Sequence, residues 1–256
     1  MTQLSRLNRR IGGIVASVAA LLCVGIASAQ SLNIDIGRRG GTPSDTFGGP
    51  AGSPGFWNTL DVGRAGAAIV GLDGGATNVT LESTVLLGDP NFPGYYNPQP
   101  ATAGDPDVAA LLDDFVYLNG DVQSEFAFFG LQPGEYDLVV VGILVGFPNE
   151  PTDVTWLSDD LSEFQEDRIG DAAYGGTWQS GVTHARFRVP VGPSGELRFI
   201  ANGVFSFDFE SFGNINGIQL VLVPEPGTLA GLAMMVVVAA VGLRRRIDGK
   251  NAGTVR

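Results

Sequence analysis

From Ser31 onward the chain is patterned mainly with a period of two. Leu32, Ile34 and Ile36 alternate with Asn33 and Asp35. Thr183, Ala185, Phe187 and Val189 oppose His184, Arg186 and Arg188, and Leu197 and Phe199 alternate with Glu196 and Arg198. Phe205, Phe207 and Phe209 alternate with Ser206, Asp208 and Glu210. A side chain that switches face at every residue marks a strand with one wet and one buried surface. Leu138 to Val141 and most of Ile218 to Val223 are instead continuously apolar, as central strands covered on both faces are.

Turn residues punctuate these strands. Asn119-Gly120 separates Asp114–Leu118 from Val122–Phe129, and Asn202-Gly203 separates Glu196–Ala201 from Val204–Phe209. Both dipeptides tolerate positive φ, so each predicts a two-residue hairpin. Pro133-Gly134 predicts a type II turn before Glu135. Helix is scarce. Asp105-Pro106-Asp107 supplies an N-cap, a proline at N1 and an acid in the first turn, and Val108, Leu111, Leu112 and Phe115 follow at helical spacing. Ser158 to Arg168 is a second helical candidate, or an acidic loop. Arg38 to Phe56 and Tyr95 to Ala103 read as long surface loops. These features predict an all-β fold, an antiparallel β-sandwich or jelly roll occupying residues 30–222.

The two ends follow a different pattern. Arg6, Arg9 and Arg10 precede an apolar zone that runs to Ala27, and Ala27 and Ala29 hold the small-residue positions of a cleavage site before Gln30. That is the layout of a secretory signal peptide over residues 1–29, to be removed by signal peptidase. Cys23, the one cysteine, lies inside it, so the mature chain has neither disulfide nor thiol nucleophile. Thr228 to Leu243 is uncharged and is followed by Arg244, Arg245 and Arg246. Sixteen helical residues reach about 24 Å, a short transmembrane helix that flanking arginines can complete. The positive-inside rule puts both basic clusters, and the tail 248–256, in the cytoplasm, and residues 30–222 outside it.

Pro224, Glu225 and Pro226 stand directly before that apolar run. Pro-Glu-Pro, an apolar span and an arginine cluster form a tripartite signal, here residues 223–247, that resembles the PEP-CTERM proteins of Gram-negative bacteria. The resemblance implies sorting and cleavage by an exosortase. It also implies a final place at the cell surface or in an exopolysaccharide matrix. The tail after the arginines is longer than that pattern usually has. Two prolines fix φ and remove backbone donors, so the motif itself stays extended and open to a protease.

Charge fits this division. Residues 31–224 hold 25 Asp and Glu against 7 Arg and no Lys, a net −18, and the other basic residues lie in the terminal segments. A body so acidic has no electrostatic hold on phosphates, which excludes nucleic acid as a partner. His184 is the sole histidine, sits mid-strand as a solvated residue, and comes without a nucleophile elbow, so a Ser-His-Asp site is not expected. Histidine zinc sites are excluded for the same reason. Hard cations take carboxylate and carbonyl oxygens from irregular loops, which makes Asp105 and Asp107, with Asp35 and Asp45, the candidates for one structural calcium. Trp57, Tyr95, Tyr96, Tyr174 and Trp178 lie in or beside Gly/Pro-rich stretches and are the candidates to stack on sugar faces.

The order of an opening strand Leu32–Gly37, Trp57-Asn58, Leu111–Gly120, Gly130–Leu138 and a closing Ile215–Leu220 is similar to exported domains with a galactose-binding-like jelly roll. That similarity implies a non-catalytic carbohydrate-binding or adhesive module. Three readings result. The first is an exosortase-processed surface or matrix protein that is structural or binds carbohydrate, without catalysis and with exopolysaccharide as a partner. The second is a surface glycoside hydrolase or lyase using an acidic pair from one of the clusters Asp208 with Glu210, Asp113-Asp114, Asp159-Asp160, or Glu163 with Glu166-Asp167. The third is a membrane-tethered adhesin.

Overall fold

The computed structural model describes residues 30–37, 41–60, 67–84, 95–96, 104–119, 123–143, 151–158, 162–170, 175–206 and 209–225. The signal segment, the apolar run 228–243 and the arginines 244–246 lie outside them. Among the described residues no helix is long and apolar enough to cross a membrane.

Fourteen strands and one helix are described, in the order β1 (Leu32–Ile36), β2 (Trp57–Leu60), β3 (Ala67–Val70), β4 (Ala76–Ser83), β5 (Tyr95–Tyr96), α1 (Pro106–Leu112), β6 (Asp114–Asn119), β7 (Ser124–Phe129), β8 (Gly134–Val141), β9 (Thr152–Leu157), β10 (Phe164–Ile169), β11 (His184–Val191), β12 (Leu197–Ser206), β13 (Phe209–Ile215) and β14 (Gly217–Val223). They form two sheets. The smaller has five strands in the order β11-β8-β14-β1-β2. The larger runs β3-β4-β7-β12-β13-β6-β5, with β9 also on β12 and β10 on β9. Pairing is antiparallel throughout except between β1 and β2, which run parallel, a departure from the antiparallel expectation.

The alternation read from the sequence places the core. Leu32, Ile34 and Ile36 of β1, Leu138 and Val140 of β8, Phe187 and Val189 of β11, and Ile218 and Leu220 of β14 face one way from the small sheet. They meet Leu81, Phe126, Phe128, Val154, Trp156, Leu197 and Phe199 of the large sheet in one buried cluster. Phe126 and Phe199 are cross-strand partners and stack with centroids 4.8 Å apart. Two sheets closed over a shared apolar layer make a β-sandwich.

A second, smaller cluster covers the outer face of the five-stranded sheet. Val108, Leu111 and Leu112 of α1 pack there on Trp57, Val141 and Ile143, with Phe47 and Trp178 against them. The loop before β2 is pinned over the same face. Asn33 Nδ2 donates to Ser53 O, Gln219 Nε2 donates to Gly48 O, and Ala51 N–H donates to Gln219 Oε1. The predicted wet face of β1 is therefore dry: all five of its residues are buried. The strand is central, and loop and helix cover what a two-layer sheet would leave in water.

Other expectations are corrected by long-range pairing. β6 and β7, which flank Asn119-Gly120, do not pair with each other; β6 lies between β13 and β5, and β7 between β4 and β12. Asn202-Gly203 is not a turn at all. It sits inside β12, registered against Asp153 and Thr152 of β9. A Cβ on Gly213 would come within 2.8 Å of Gly203 Cα, so two glycines allow the chains to cross closely. The stretch read as one strand from Val204 to Phe209 is split between the end of β12 and the start of β13. Gly134 begins β8 at φ 157° rather than completing a type II turn. The helical alternative for 158–168 is overturned, since Phe164–Ile169 forms an edge strand on β9. Its Phe164 is exposed, leaving no apolar stripe for a helix to bury, and Arg168 instead reaches Asp153 across the strands at 2.6 Å.

Candidate functional site

Helix α1 forms where its sequence says it should. Asp105 caps it, accepting the Asp107 N–H at 2.9 Å, and Pro106 occupies the first turn. Both Asp107 oxygens are engaged by Ser44, one by its N–H at 2.7 Å and the other by its hydroxyl at 2.8 Å. Among the described residues no group of three His, Cys, Asp or Glu side chains could hold a metal ion. Asp105 and Asp107 act here as a helix cap and a loop fastener.

The predicted aromatic residues separate. Trp57 is buried, stacked on Phe47 at 5.7 Å, and donates its indole N–H to Phe47 O. It is a core residue with no face open to a ligand. Trp178 is half-buried, 6.5 Å from Phe47. Tyr95 and Tyr96 form β5, paired with Phe115 and Asp114 of β6. Tyr174 lies outside the described residues, as do Ala27, Ala29 and Pro226. Pro224 and Glu225 are exposed directly after β14.

Beneath the C-terminal end of α1 three carboxylates gather. Asp35 projects from β1 onto the outer face and is wholly buried; neither oxygen has a hydrogen-bond partner. Asp113 caps the helix, and its Oδ1 is likewise buried and unpartnered. Asp114 opens β6 against Gly37, where a Cβ would fall 2.1 Å from the Asp114 Cβ. Burial, then the charges of Asp114 and Asp113, raise the Asp35 carboxyl well above its ordinary range. Burial and then Asp114 lift Asp113 to about 6. These acids lie in the interior under a helix, not across an open cleft as a glycosidase pair must. His184, expected in solvent, is buried, because the preceding turn folds back on it: Gly181 N–H donates to His184 O, and Thr183 Oγ1 lies 3.0 Å from Nδ1. Burial and then Arg186 push the imidazole down to about 4.

The opposite end of β1 holds a cleft that the sequence did not point to. It encloses about 280 Å³ between Gln30, the Gly71–Asn78 hairpin and Gln132. The β7–β8 turn is clamped to Gln30, whose Oε1 accepts the Gln132 N–H at 2.6 Å. Tyr136 supports the turn from below by donating its hydroxyl to Gln132 O at 3.0 Å, and burial pushes this phenol up to about 12. Asp73 spends Oδ1 on the Gly75 N–H, while Thr77 and Asn78 complete the wall. Phe56 stands beside this hairpin, 43% exposed, with its N–H donating to Leu72 O. A Cβ on Gly74 would lie 3.9 Å from its ring.

No family model matches the chain, and no curated protein matches it. Among solved structures, it is similar to the extracellular domain of ANXUR1 from Arabidopsis thaliana, at 12% identity and a TM-score of 0.38, over 77% of this chain and 49% of that one. It therefore spans about half the length of that domain. It is also similar to TmCBM61 in complex with beta-1,4-galactotriose, at 11% identity and a TM-score of 0.33, over 57% of this chain and 89% of that one. The similarity to both is weak, and at these scores it carries no argument about function.

Proposed function

We propose that the protein is exported behind its signal peptide, sorted by an exosortase through Pro224, Glu225 and Pro226, and binds carbohydrate at the cell surface or in an exopolysaccharide matrix without catalysis. The observation that carries the binding role is the cleft between Gln30, the Gly71–Asn78 hairpin and Gln132. Its walls present the Asp73 carboxylate and the Asn78 and Gln132 amides, groups able to pair with sugar hydroxyls, and the exposed Phe56 ring, which suits an apolar sugar face, packs against the same hairpin at Gly74. A volume near 280 Å³ matches one or two sugar units and lies at the small end of ligand pockets. The buried acids under α1 face away from this cleft, so the lining favours binding over hydrolysis.

Calorimetry of the full chain against neutral and acidic oligosaccharides tests this reading. Phe56→Ala and Asn78→Ala should each weaken binding by roughly tenfold, the loss expected when one ring contact or one well-placed amide is removed. Binding that is indifferent to both changes but lost in Trp178→Ala would overturn the cleft in favour of the α1 end. Release of shortened sugars would overturn the non-catalytic reading. Mass spectrometry of the cell-derived protein tests the sorting: an N-terminus at Gln30 and a C-terminus near Pro224 are expected, and an intact Arg256 would exclude cleavage.

A further inference from the structure

We propose that Asp35, Asp113 and Asp114 form a proton-operated clasp: one bound proton keeps helix α1 docked on the five-stranded sheet, and its loss lets the helix lift. Asp35 cannot move, because it stands in a central strand with Gly217 on one side and Thr59 on the other. It has no exposed surface, and neither of its oxygens meets a donor. A carboxylate in that position has no hydrogen bond to hold its charge and two further carboxylates beside it, so the neutral acid is the form the fold accepts. The raised proton affinities of Asp35 and Asp113 agree with this geometry.

The movable partner is α1. It has seven residues, too few to be stable alone, and is held by Val108, Leu111 and Leu112 and, at its C-terminal end, by Asn216 Nδ2, which reaches Leu112 O at 3.5 Å. Its C-terminal end also carries the negative pole of the helix, which adds to the repulsion from an ionised Asp35. Asp105 and Asp107 occupy the far end of α1 and are bonded to Asp107 N and Ser44. β2, β14 and β8 contribute Thr59, Gly217 and Val141 to the Asp35 row, and β11 ends it with His184. Arg186, one row further, is bound to Asp137 at 2.7 Å. Arg38 and Arg39 follow Gly37 in sequence and lie outside the described residues.

Hydrogen exchange of the full chain, corrected for intrinsic chemistry, reads the clasp directly. The α1 amides should exchange roughly tenfold faster at about pH 8 than at about pH 5, while the β8 and β14 amides keep their protection. Asp35→Asn should abolish that difference, since an amide keeps the shape without the titration. Equal protection at both pH values, or a pH response that persists in Asp35→Asn, would overturn the proposal. So would full protection restored at the higher pH by calcium alone, which would make the occupant a cation. Should Asp35→Asn not fold, Asp113→Asn is read the same way, and the carboxyl carbon of Asp35 is followed in the unaltered chain by NMR. A resonance in the ionised position throughout would equally overturn the idea.

Discussion

Asp35 shows what a single residue does and does not disclose in sequence. Its place in the alternation was legible, and so were its neighbours Leu32, Ile34 and Ile36, all of which face the core. Its burial was not, because the Asn33–Asp35 face is covered by a loop and a helix drawn from elsewhere in the chain. Trp57 is covered in the same way, with Phe47 lying over its ring. Gly217 illustrates the tightness of that covering. A Cβ there would fall 2.7 Å from Leu111 Cδ1 and 2.9 Å from Ile34 O, the latter a backbone atom that cannot yield easily. Gly217→Ala should therefore destabilise the protein by about 1–3 kcal/mol, the usual cost of overpacking, as measured by urea unfolding. An unchanged midpoint would show that α1 does not press on β14.

At the scale of elements, local chemistry succeeded where a segment decides its own structure and did not where pairing decides it. α1 was readable because Asp105, Pro106 and the Val108–Leu111–Leu112 spacing all act within two turns. Replacing the cap, Asp105→Ala, should cost about 1 kcal/mol and speed exchange of the α1 amides, with little effect on the sheets. Asn119-Gly120 and Asn202-Gly203 carry the same turn preference, but neither dipeptide contains the information that β6 belongs beside β13 or that β12 continues onto β9. Turn propensity permits a hairpin without requiring one. The acidic run before Ile169 became an edge strand because Arg168 and Asp153 could pair across it, and a strand edge tolerates charge better than a core does. That pair is half-exposed and contributes little stability of its own, so it accounts for register more than for strength. The cleft was invisible for a further reason: its wall is assembled from Gln30, Asp73, Asn78 and Gln132, on three separate segments.

For the molecule as a whole, two buried titrating groups set opposing slopes of stability against pH. His184 titrates near 4 when folded and near 6.5 when unfolded. Between these values the unfolded chain binds more protons, so stability falls as pH drops through that window, by on the order of 3 kcal/mol in full. Asp113 runs the other way: its folded value of about 6 lies above the ordinary 3.8, so stability falls as pH rises between them. Asp35, whose carboxyl is raised in the same direction by its burial, adds to that second slope. His184→Gln should leave the carboxylate slope alone, and the urea midpoint should then decline steadily from about pH 4 to about pH 6, where the parent chain changes less. A variant midpoint that rises across that range would refute the balance. The arrangement of strands has its own consequence for biogenesis. β1 and β14, the first and last strands, are neighbours, joined by Gln219 and Asn33 across 186 positions. The small sheet thus has a gap in its centre until β14 is in place. A growing chain remains an open half-structure until Gly217–Val223 slots between its two waiting partners.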